Sequence, residues 1–541
     1  MKRYILSILG NSNTWLLLFI SWIAIGVFPL VCYEGDSMHV IAGCEQMYNE
    51  GWQLPPRYSY EYRMQPLVTI SVVALRYVIP CLSCGEIYCL FSALSAIIFL
   101  IGIIKFVRHL MPDADKIITL LSLMLIPETY AIAMYPNSAI PAAAIFIWSL
   151  ILLFKERYLY SIALLCIAPL FRVDVVVVYP SILPLLYIRH SFKKSFILSS
   201  LAAIIVVILG LLGFKLLGAD VLSAFGGYEK WNEKVKPIDV MTAILGFYSI
   251  TYLIFMPLGI GKICQSKNWK VLALCLLPIL LNHYIYRQMG CASKHYLYTL
   301  PFVSIIGVYA LNYMRTLLSH RRIFRYVAAI YLICILFISV KMEPNNRPWR
   351  QMQEARAKRT PFLQLANVNI GKFNIHAGIG AGQDVPTLDE AMILSGHAFY
   401  PWYIRGIKNR ELKYEKNVDS ELSKHRCSVL LSLGWGGQIQ YTNTLLKRGY
   451  TLSQPTSGDF KFIMQKGDSI VYIATFERKA AIGSNLEERL CEYINHYSTK
   501  NIRPLFISPS TDRYQYHLEN ISQHSDLEKI NADLFHSIVK E

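Results

Sequence analysis

The chain has 541 residues, of which 54% are hydrophobic and 16% are charged, and its formal net charge is +17. Such a charge would fit a nucleic-acid partner, but most basic residues of the first part lie in short clusters between long apolar runs, as membrane topology requires. Runs on the order of 20 apolar residues recur through residues 1–341 and are absent from residues 342–541. The sequence therefore predicts a polytopic α-helical membrane domain, 1–341, followed by a soluble domain, 342–541, and argues against nucleic acid.

The basic N-terminus and the absence of a small-residue cleavage site make the first apolar run a retained signal anchor. Placing the basic clusters in the cytoplasm fixes the parity of the spans and puts the C-terminal domain outside an inner or plasma membrane. This predicts about 11 transmembrane helices, at residues 14–33, 86–104, 117–135, 139–154, 158–171, 174–188, 195–217, 240–261, 271–286, 296–314 and 326–341.

The segment 66–80 would break this parity if it crossed the bilayer. It is short, is bounded by prolines and carries Arg76, so it is predicted to lie on the outer face as an interfacial helix. Apolar residues also recur at helical spacing from Met38 to Tyr48, which predicts another amphipathic interfacial helix earlier in the same loop. The first external loop, residues 34–85, therefore contains two interfacial helices.

Polar residues gather in the predicted external segments. Glu34 and Asp36 directly follow the first span, where acidic groups are costly and are functional candidates by default. Arg172 and Asp174 lie between two short spans; they could satisfy each other as an ion pair, or the arginine could bind a phosphate group. Three further basic residues lie outside against the usual bias and need a balancing anion; they are Arg287, Lys294 and His295.

The C-terminal domain reads as an α/β or α+β module. Strands are predicted at 428–433, 460–465 and 469–475, and helices at 438–449 and 484–497. Its expected role is docking or positioning of an acceptor. Disulfides are conceivable between Cys81 and Cys84 on the outer face, and between Cys427 and Cys491 in the domain.

Three motifs follow one another along the chain. They are an acidic opening of the first external loop (EGD, 34–36), an aromatic and basic stretch before Pro-Leu (YRMQPL, 62–67), and a late-span opening (KHYLYTLP, 294–301). In this order they resemble the membrane-embedded GT-C glycosyltransferases, in particular the ArnT and protein mannosyltransferase-like group. The resemblance covers residues 14–315 as an architecture. Gly35 separates two carboxylates that are adjacent in many relatives, and Gln65 replaces a proline.

The resemblance implies transfer of a sugar from a polyprenyl-phosphate carrier to an envelope glycan or lipid acceptor, in a single inverting displacement. Asp36 is then the expected general base, a role compatible with capping the interfacial helix. Glu34 could instead orient a partner, hold a metal or face headgroup water, so a divalent metal is possible and no cofactor is certain. Arg63 is the nearest candidate for the basic phosphate ligand, although it could equally be a snorkelling interfacial arginine.

Two other classes compete with this interpretation. A transporter or flippase of lipid-linked sugars commonly shows internal repeats, which the two halves of this chain lack. A polysaccharide polymerase or ligase would also use external arginines, but it would not need the Asp36 loop with its two interfacial helices.

Overall fold

The structure is a computed structural model, and it describes only part of the chain. The described residues are 11–31, 35–52, 65–124, 126, 129, 133–134, 136–182, 184–185, 208–209, 211–213, 215–216, 255–289, 293–317, 326–327, 338–344, 363–370, 373–379, 401–424, 429–433, 442–453, 460–467, 469–476 and 504–506.

The first part of the chain is helical. Its helices are α1 (Ser12–Val27), α2 (Gly35–Glu50), α3 (Pro66–Val78), α4 (Cys84–Leu110), α5 (Lys116–Met124), α6 (Ala139–Phe154), α7 (Tyr158–Phe171), α8 (Trp269–Met289) and α9 (Leu300–Leu317). Two 3-10 segments, Val173–Ser181 and Ser293–Thr299, follow α7 and precede α9. Residues 255–265 are also helical.

Among the described residues, two helices are long and apolar enough to cross a membrane, Cys84–Leu110 and Tyr296–Leu317. The other apolar helices found there are shorter, so the predicted count of about 11 spans stays a prediction. Two predicted spans differ from the structure in type. Residues 173–181 form a 3-10 segment, because the run of β-branched valines and Pro180 disfavour a regular α-helix. The predicted span 326–341 overlaps a strand that begins at Ile338.

Side-chain contacts show which helix ends lie together. His109, near the end of α4, stacks on Phe154, the last residue of α6, with ring centroids 5.5 Å apart. Arg315, near the end of α9, lies 3.4 Å from Asp115. The segments around these residues are all predicted to be cytoplasmic, and they share one end of the bundle. These helix ends lie together, as the predicted parity requires, whereas the orientation of the helices in a membrane stays a prediction.

The two segments predicted to be interfacial are helical and pack against each other, while their place at a membrane surface stays a prediction. Arg76 of α3 forms an ion pair with Glu45 of α2 and donates to the Cys84 sulfur at 3.2 Å. Glu45 Oε1 also accepts from the Cys84 backbone amide at 3.1 Å. The arginine that made a bilayer crossing of 66–80 improbable thus has a buried partner in the preceding helix.

The same contacts hold three thiols in different environments. Cys44 and Cys84 are buried and Cys81 is exposed, and all three are free thiols, so the conceivable Cys81–Cys84 disulfide is not formed. Burial raises the pKa of the Cys44 thiol well above its usual range, and the Cys84 thiol and the Glu45 carboxylate raise it further. Cys427 and Cys491 lie outside the described residues.

The described strands of the C-terminal part form two sheets. Strands β1 (Ile338–Pro344), β2 (Leu363–Ile370) and β3 (Phe373–Ile379) form an antiparallel sheet in the order β1-β3-β2. Strands β4 (Val429–Leu433), β5 (Thr451–Ser453), β6 (Phe460–Lys466), β7 (Ser469–Phe476) and β8 (Pro504–Phe506) form a mixed sheet in the order β5-β6-β7-β4-β8. The predicted strands at 428–433, 460–465 and 469–475 are confirmed within a residue at each end.

A long helix connects these strands to the helical part. Helix α10 (Pro401–Lys424) was not predicted; it packs against α1, and β5 packs against α2. Residues 442–447 are helical, within the predicted helix 438–449, and the predicted helix 484–497 lies outside the described residues.

Candidate functional site

A buried ion pair lies where α7 ends. Arg172 Nε donates to Asp174 Oδ2 at 2.7 Å, and the side chains are 15% and 6% exposed. Arg172 follows the last residue of α7, and Asp174 lies in the first turn of the 3-10 segment. A negative charge is favourable there, because the backbone amides at a helix start have no partner within the helix. Two charges that leave water together need each other and further hydrogen bonds.

Those further hydrogen bonds come from distant parts of the chain. The Tyr298 hydroxyl donates to Asp174 Oδ1 at 2.5 Å across 124 sequence positions. Arg172 Nη1 donates to Ser138 Oγ at 3.2 Å. Both oxygens of Asp174 therefore accept, and the pair is tied to the turn before α6 and to the 3-10 segment before α9.

The turn before α6 is itself held from two sides. The side-chain oxygen Oδ1 of Asn137 accepts from the Ala139 backbone amide at 2.8 Å, while the Asn137 backbone amide donates to Ser92 Oγ of α4 at 3.0 Å. Ser37 Oγ of α2 donates to the Pro136 carbonyl at 2.7 Å. A continuous polar cluster therefore runs from the start of α2 through this turn to the Arg172–Asp174 pair and Tyr298; we call it the polar cluster.

A second contact extends the polar cluster to α8. His283 Nδ1 lies 3.3 Å from the Tyr296 hydroxyl, and Tyr296 and Tyr298 are both buried in the 3-10 segment before α9. The Thr299 hydroxyl donates to the Tyr296 carbonyl at 2.6 Å and so fixes this segment internally. The motif 294–301 singled out in the sequence is thus the part of the chain that supplies two tyrosine hydroxyls to this end of the bundle.

The predicted site residues divide into two groups. Arg172 and Asp174 are brought into the polar cluster, as the ion pair that the sequence allowed. For four other predicted residues the structure describes the helical backbone but not the side chains; they are Asp36, Arg287, Lys294 and His295. The described helix α2 begins at Gly35, so Asp36 belongs to its first turn and precedes Ser37 of the polar cluster.

Glu34 and Arg63 lie outside the described residues altogether. The functional assignments of all seven predicted residues, Asp36, Glu34, Arg63, Arg172, Arg287, Lys294 and His295, therefore stay predictions. Within the parts of the chain that are described, no group of three or more His, Cys, Asp or Glu side chains is arranged to hold a metal ion.

Sequence reasoning missed several members of the polar cluster. Ser138 and Tyr298 carry no signal of their own, because a serine before a helix and a tyrosine near a span end are both ordinary. The only available signal for Tyr298 was its place in the motif 294–301. Ser37 could have been found as the neighbour of Asp36.

Comparison with known proteins finds solved structures of low similarity, among them two of ArnT. No family model matches the chain, and no curated protein matches it significantly. ArnT from Cupriavidus metallidurans in the apo state is 13% identical with a TM-score of 0.44, and 56% of this chain aligns with 60% of that one. The same enzyme bound to undecaprenyl phosphate is 10% identical with a TM-score of 0.49, over 80% of this chain and 75% of that one.

In the first of these alignments the chain spans less than two thirds of the length of the ArnT structure, since 60% of that chain is covered. Because the identities and TM-scores are both low, the likeness assigns neither a family nor an activity to this chain.

Proposed function

We propose that this protein is a membrane glycosyltransferase that moves a sugar from a polyprenyl-phosphate carrier to a glycan or lipid acceptor at the outer face of the membrane. The observation that carries the proposal is the polar cluster, in which segments predicted to be external meet at one end of an apolar helix bundle. Contacts from Ser37 to Pro136, from Arg172 to Ser138 and from Tyr298 to Asp174 join them. Ionisable groups in apolar surroundings are costly and are functional candidates by default, even where hydrogen bonds offset part of the cost.

In the proposed reaction the Asp36 carboxylate accepts the proton of the acceptor hydroxyl. The hydroxyl oxygen attacks C1 of the sugar, and the bond between C1 and the phosphate oxygen breaks with inversion at C1. The electron pair leaves with the polyprenyl phosphate, whose charge needs cations in a poorly solvated site. Arg63, Arg287, Lys294 and His295 are proposed for that role.

Arg172 is proposed as a phosphate ligand that Asp174 holds in place. Its ion pair with Asp174 leaves the two side chains with no net charge together, so the pair by itself attracts an anion weakly. Its donors to Asp174 and Ser138 fix the plane of the guanidinium, and a fixed guanidinium loses less entropy when a phosphate oxygen arrives.

The C-terminal domain is proposed to dock beside the site and to position the acceptor. Lys408 of α10 is fully buried and donates to the carbonyls of Gly26 and Val27, at 3.0 and 2.9 Å. These carbonyls lie at the end of α1, and the last carbonyls of a helix need donors from elsewhere. The C-terminal part therefore contacts both α1, which precedes Asp36, and α2, whose first turn contains Asp36.

The proposal is tested with purified protein, a radiolabelled undecaprenyl-phosphate sugar and a set of glycan and lipid acceptors. Undecaprenyl phosphate is the lipid in one of the ArnT structures and is a practical first carrier. Wild type should transfer label, and Asp36→Asn should reduce turnover by about 100-fold or more, the usual scale of a lost general base.

Asp113→Asn is the matched control. Asp113 is exposed near Asp115 at the opposite end of the bundle, so its removal should leave transfer unchanged. Undiminished transfer by Asp36→Asn would refute its role as the base. A wild type that transfers no label but moves sugar-lipids across vesicle bilayers would refute the enzyme proposal in favour of a transporter, and repeated extension of one acceptor would favour a polymerase.

The orientation has its own test in the native cysteines. Cys81 is exposed in the loop that the proposal puts outside, so a membrane-impermeant maleimide should label it in intact cells. Cys44 is a built-in control, since burial and its raised pKa keep the thiol unreactive. Labelling of Cys81 only after cell lysis would overturn the orientation.

A further inference from the structure

Among the described residues of the helical part, one buried amide has no hydrogen-bond partner. Asn282 of α8 is 0% exposed, and neither its Nδ2 nor its Oδ1 makes a hydrogen bond. Buried polar groups are almost always paired, and leaving one unpaired costs about 1–3 kcal/mol for each group. An apolar side chain at this helix position would avoid that cost, so the described part of the chain leaves the amide open to a bound partner.

Asn282 lies next to the polar cluster. The following residue, His283, contacts the Tyr296 hydroxyl, and Tyr298 of the same 3-10 segment bonds Asp174. Helix α8 also packs along the 3-10 segment Val173–Ser181, which contains Asp174. A second orphaned group belongs to that segment, because the Ser181 hydroxyl is fully buried and without a partner.

The chemistry of the Asn282 amide indicates which part of the polyprenyl-phosphate sugar it could bind. A carboxamide offers two N–H donors and one carbonyl acceptor and carries no charge. A phosphate needs donors and positive charge only, and a polyprenyl tail needs neither donors nor acceptors. A sugar hydroxyl group both donates and accepts hydrogen bonds. The sugar is therefore the part of the lipid-linked substrate that could pair with both the NH₂ group and the carbonyl oxygen of this side chain.

We infer that Asn282 binds the hydroxyl groups of the transferred sugar and so sets which sugar the protein accepts. The inference rests on the proposed function and names the residue that recognises the substrate there. A site built to bond hydroxyl groups rejects an analogue that lacks one, because its buried groups are then left unpaired. Asn282 is therefore proposed as a specificity-determining residue contributed by α8.

The test compares the binding of two lipids, undecaprenyl phosphate and undecaprenyl-phosphate sugar, to wild type and to Asn282→Leu. Leucine has a similar volume and removes both orphaned groups, so the variant should fold and be at least as stable as wild type. Affinity for the sugar lipid should fall about 10-fold or more, whereas affinity for undecaprenyl phosphate should stay the same.

Asn312→Leu is the matched control. The Oδ1 of Asn312 is also buried without a partner, but this residue lies three positions before Arg315, at the other end of the bundle. It should change neither affinity. An Asn282→Leu variant that binds both lipids as wild type does would overturn the inference, because the amide would then hold only water. A wild type that binds neither lipid would overturn the proposed function itself, which separates the two failures.

Discussion

The Arg172–Asp174 pair permits a quantitative prediction about the polar cluster. The change is Asp174→Asn, which keeps the size of the side chain and removes its charge. Arg172, 15% exposed, then loses its counter-ion, and the Tyr298 hydroxyl loses a charged acceptor. Breaking a buried pair from one side costs about 3–5 kcal/mol. Tyr298→Phe removes only the hydroxyl bond and should cost about 1.5–3 kcal/mol.

A double variant separates the cost of losing the ion pair from the cost of leaving one unpaired charge buried. Arg172→Met with Asp174→Leu removes both charges and leaves apolar side chains, so most of the stability lost in Asp174→Asn should return. The assay is reversible unfolding in mixed micelles with increasing SDS, followed by tryptophan fluorescence. Activity should stay low in the double variant, because the proposed phosphate ligand is gone.

The control pair lies at the opposite end of the bundle. Arg315 and Asp115 are 3.4 Å apart and are 25% and 35% exposed, so solvent screens their attraction. Asp115→Asn should therefore cost less than about 1 kcal/mol. The reasoning is refuted if Asp174→Asn is no more destabilising than Asp115→Asn, or if the double variant is less stable than Asp174→Asn.

Two further predictions concern packing. Lys408→Met should destabilise the protein by about 2–4 kcal/mol, because the carbonyls of Gly26 and Val27 lose their charged donor. It should also make α10 accessible to limited proteolysis. Lys413→Met, at an exposed position of the same helix, should have neither effect. Gly259→Ala should cost about 1–3 kcal/mol, since its methyl group would meet the Ile306 carbonyl oxygen at 2.3 Å. Gly261→Ala, with open space around it, should be neutral or stabilising in the same unfolding assay, and equal effects of the two alanines would contradict the packing.

The elements that the sequence predicted are those with a local physical cause. Helix α2 follows from apolar residues at helical spacing, and α3 from a short apolar run bounded by prolines. Strands β4, β6 and β7 follow from β-branched and aromatic runs between turn signals. The grouping of helix ends also followed from sequence, because basic clusters between apolar runs fix parity without any knowledge of packing.

Helix α10 shows where such reasoning stops. Among the positions whose burial is described, Ile404, Lys408 and Glu415 are buried at helical spacing, and two of these three are charged. Lys408 is buried because the end of α1 offers it two carbonyls, and Glu415 because Lys447 pairs with it. Both partners are distant in sequence, and neither could be deduced from local composition.

The candidate site divides in the same way. The sequence by itself predicted that Asp36, Arg172 and the motif 294–301 belong to one end of the bundle, since parity and cost in an apolar medium depend only on the order of the residues. Only the tertiary structure decided that Tyr298 donates to Asp174 and that Asn282 is buried without a partner. A hydrogen bond between residues 124 positions apart depends on how whole helices pack, and that packing energy is shared over many contacts that no short stretch of sequence contains.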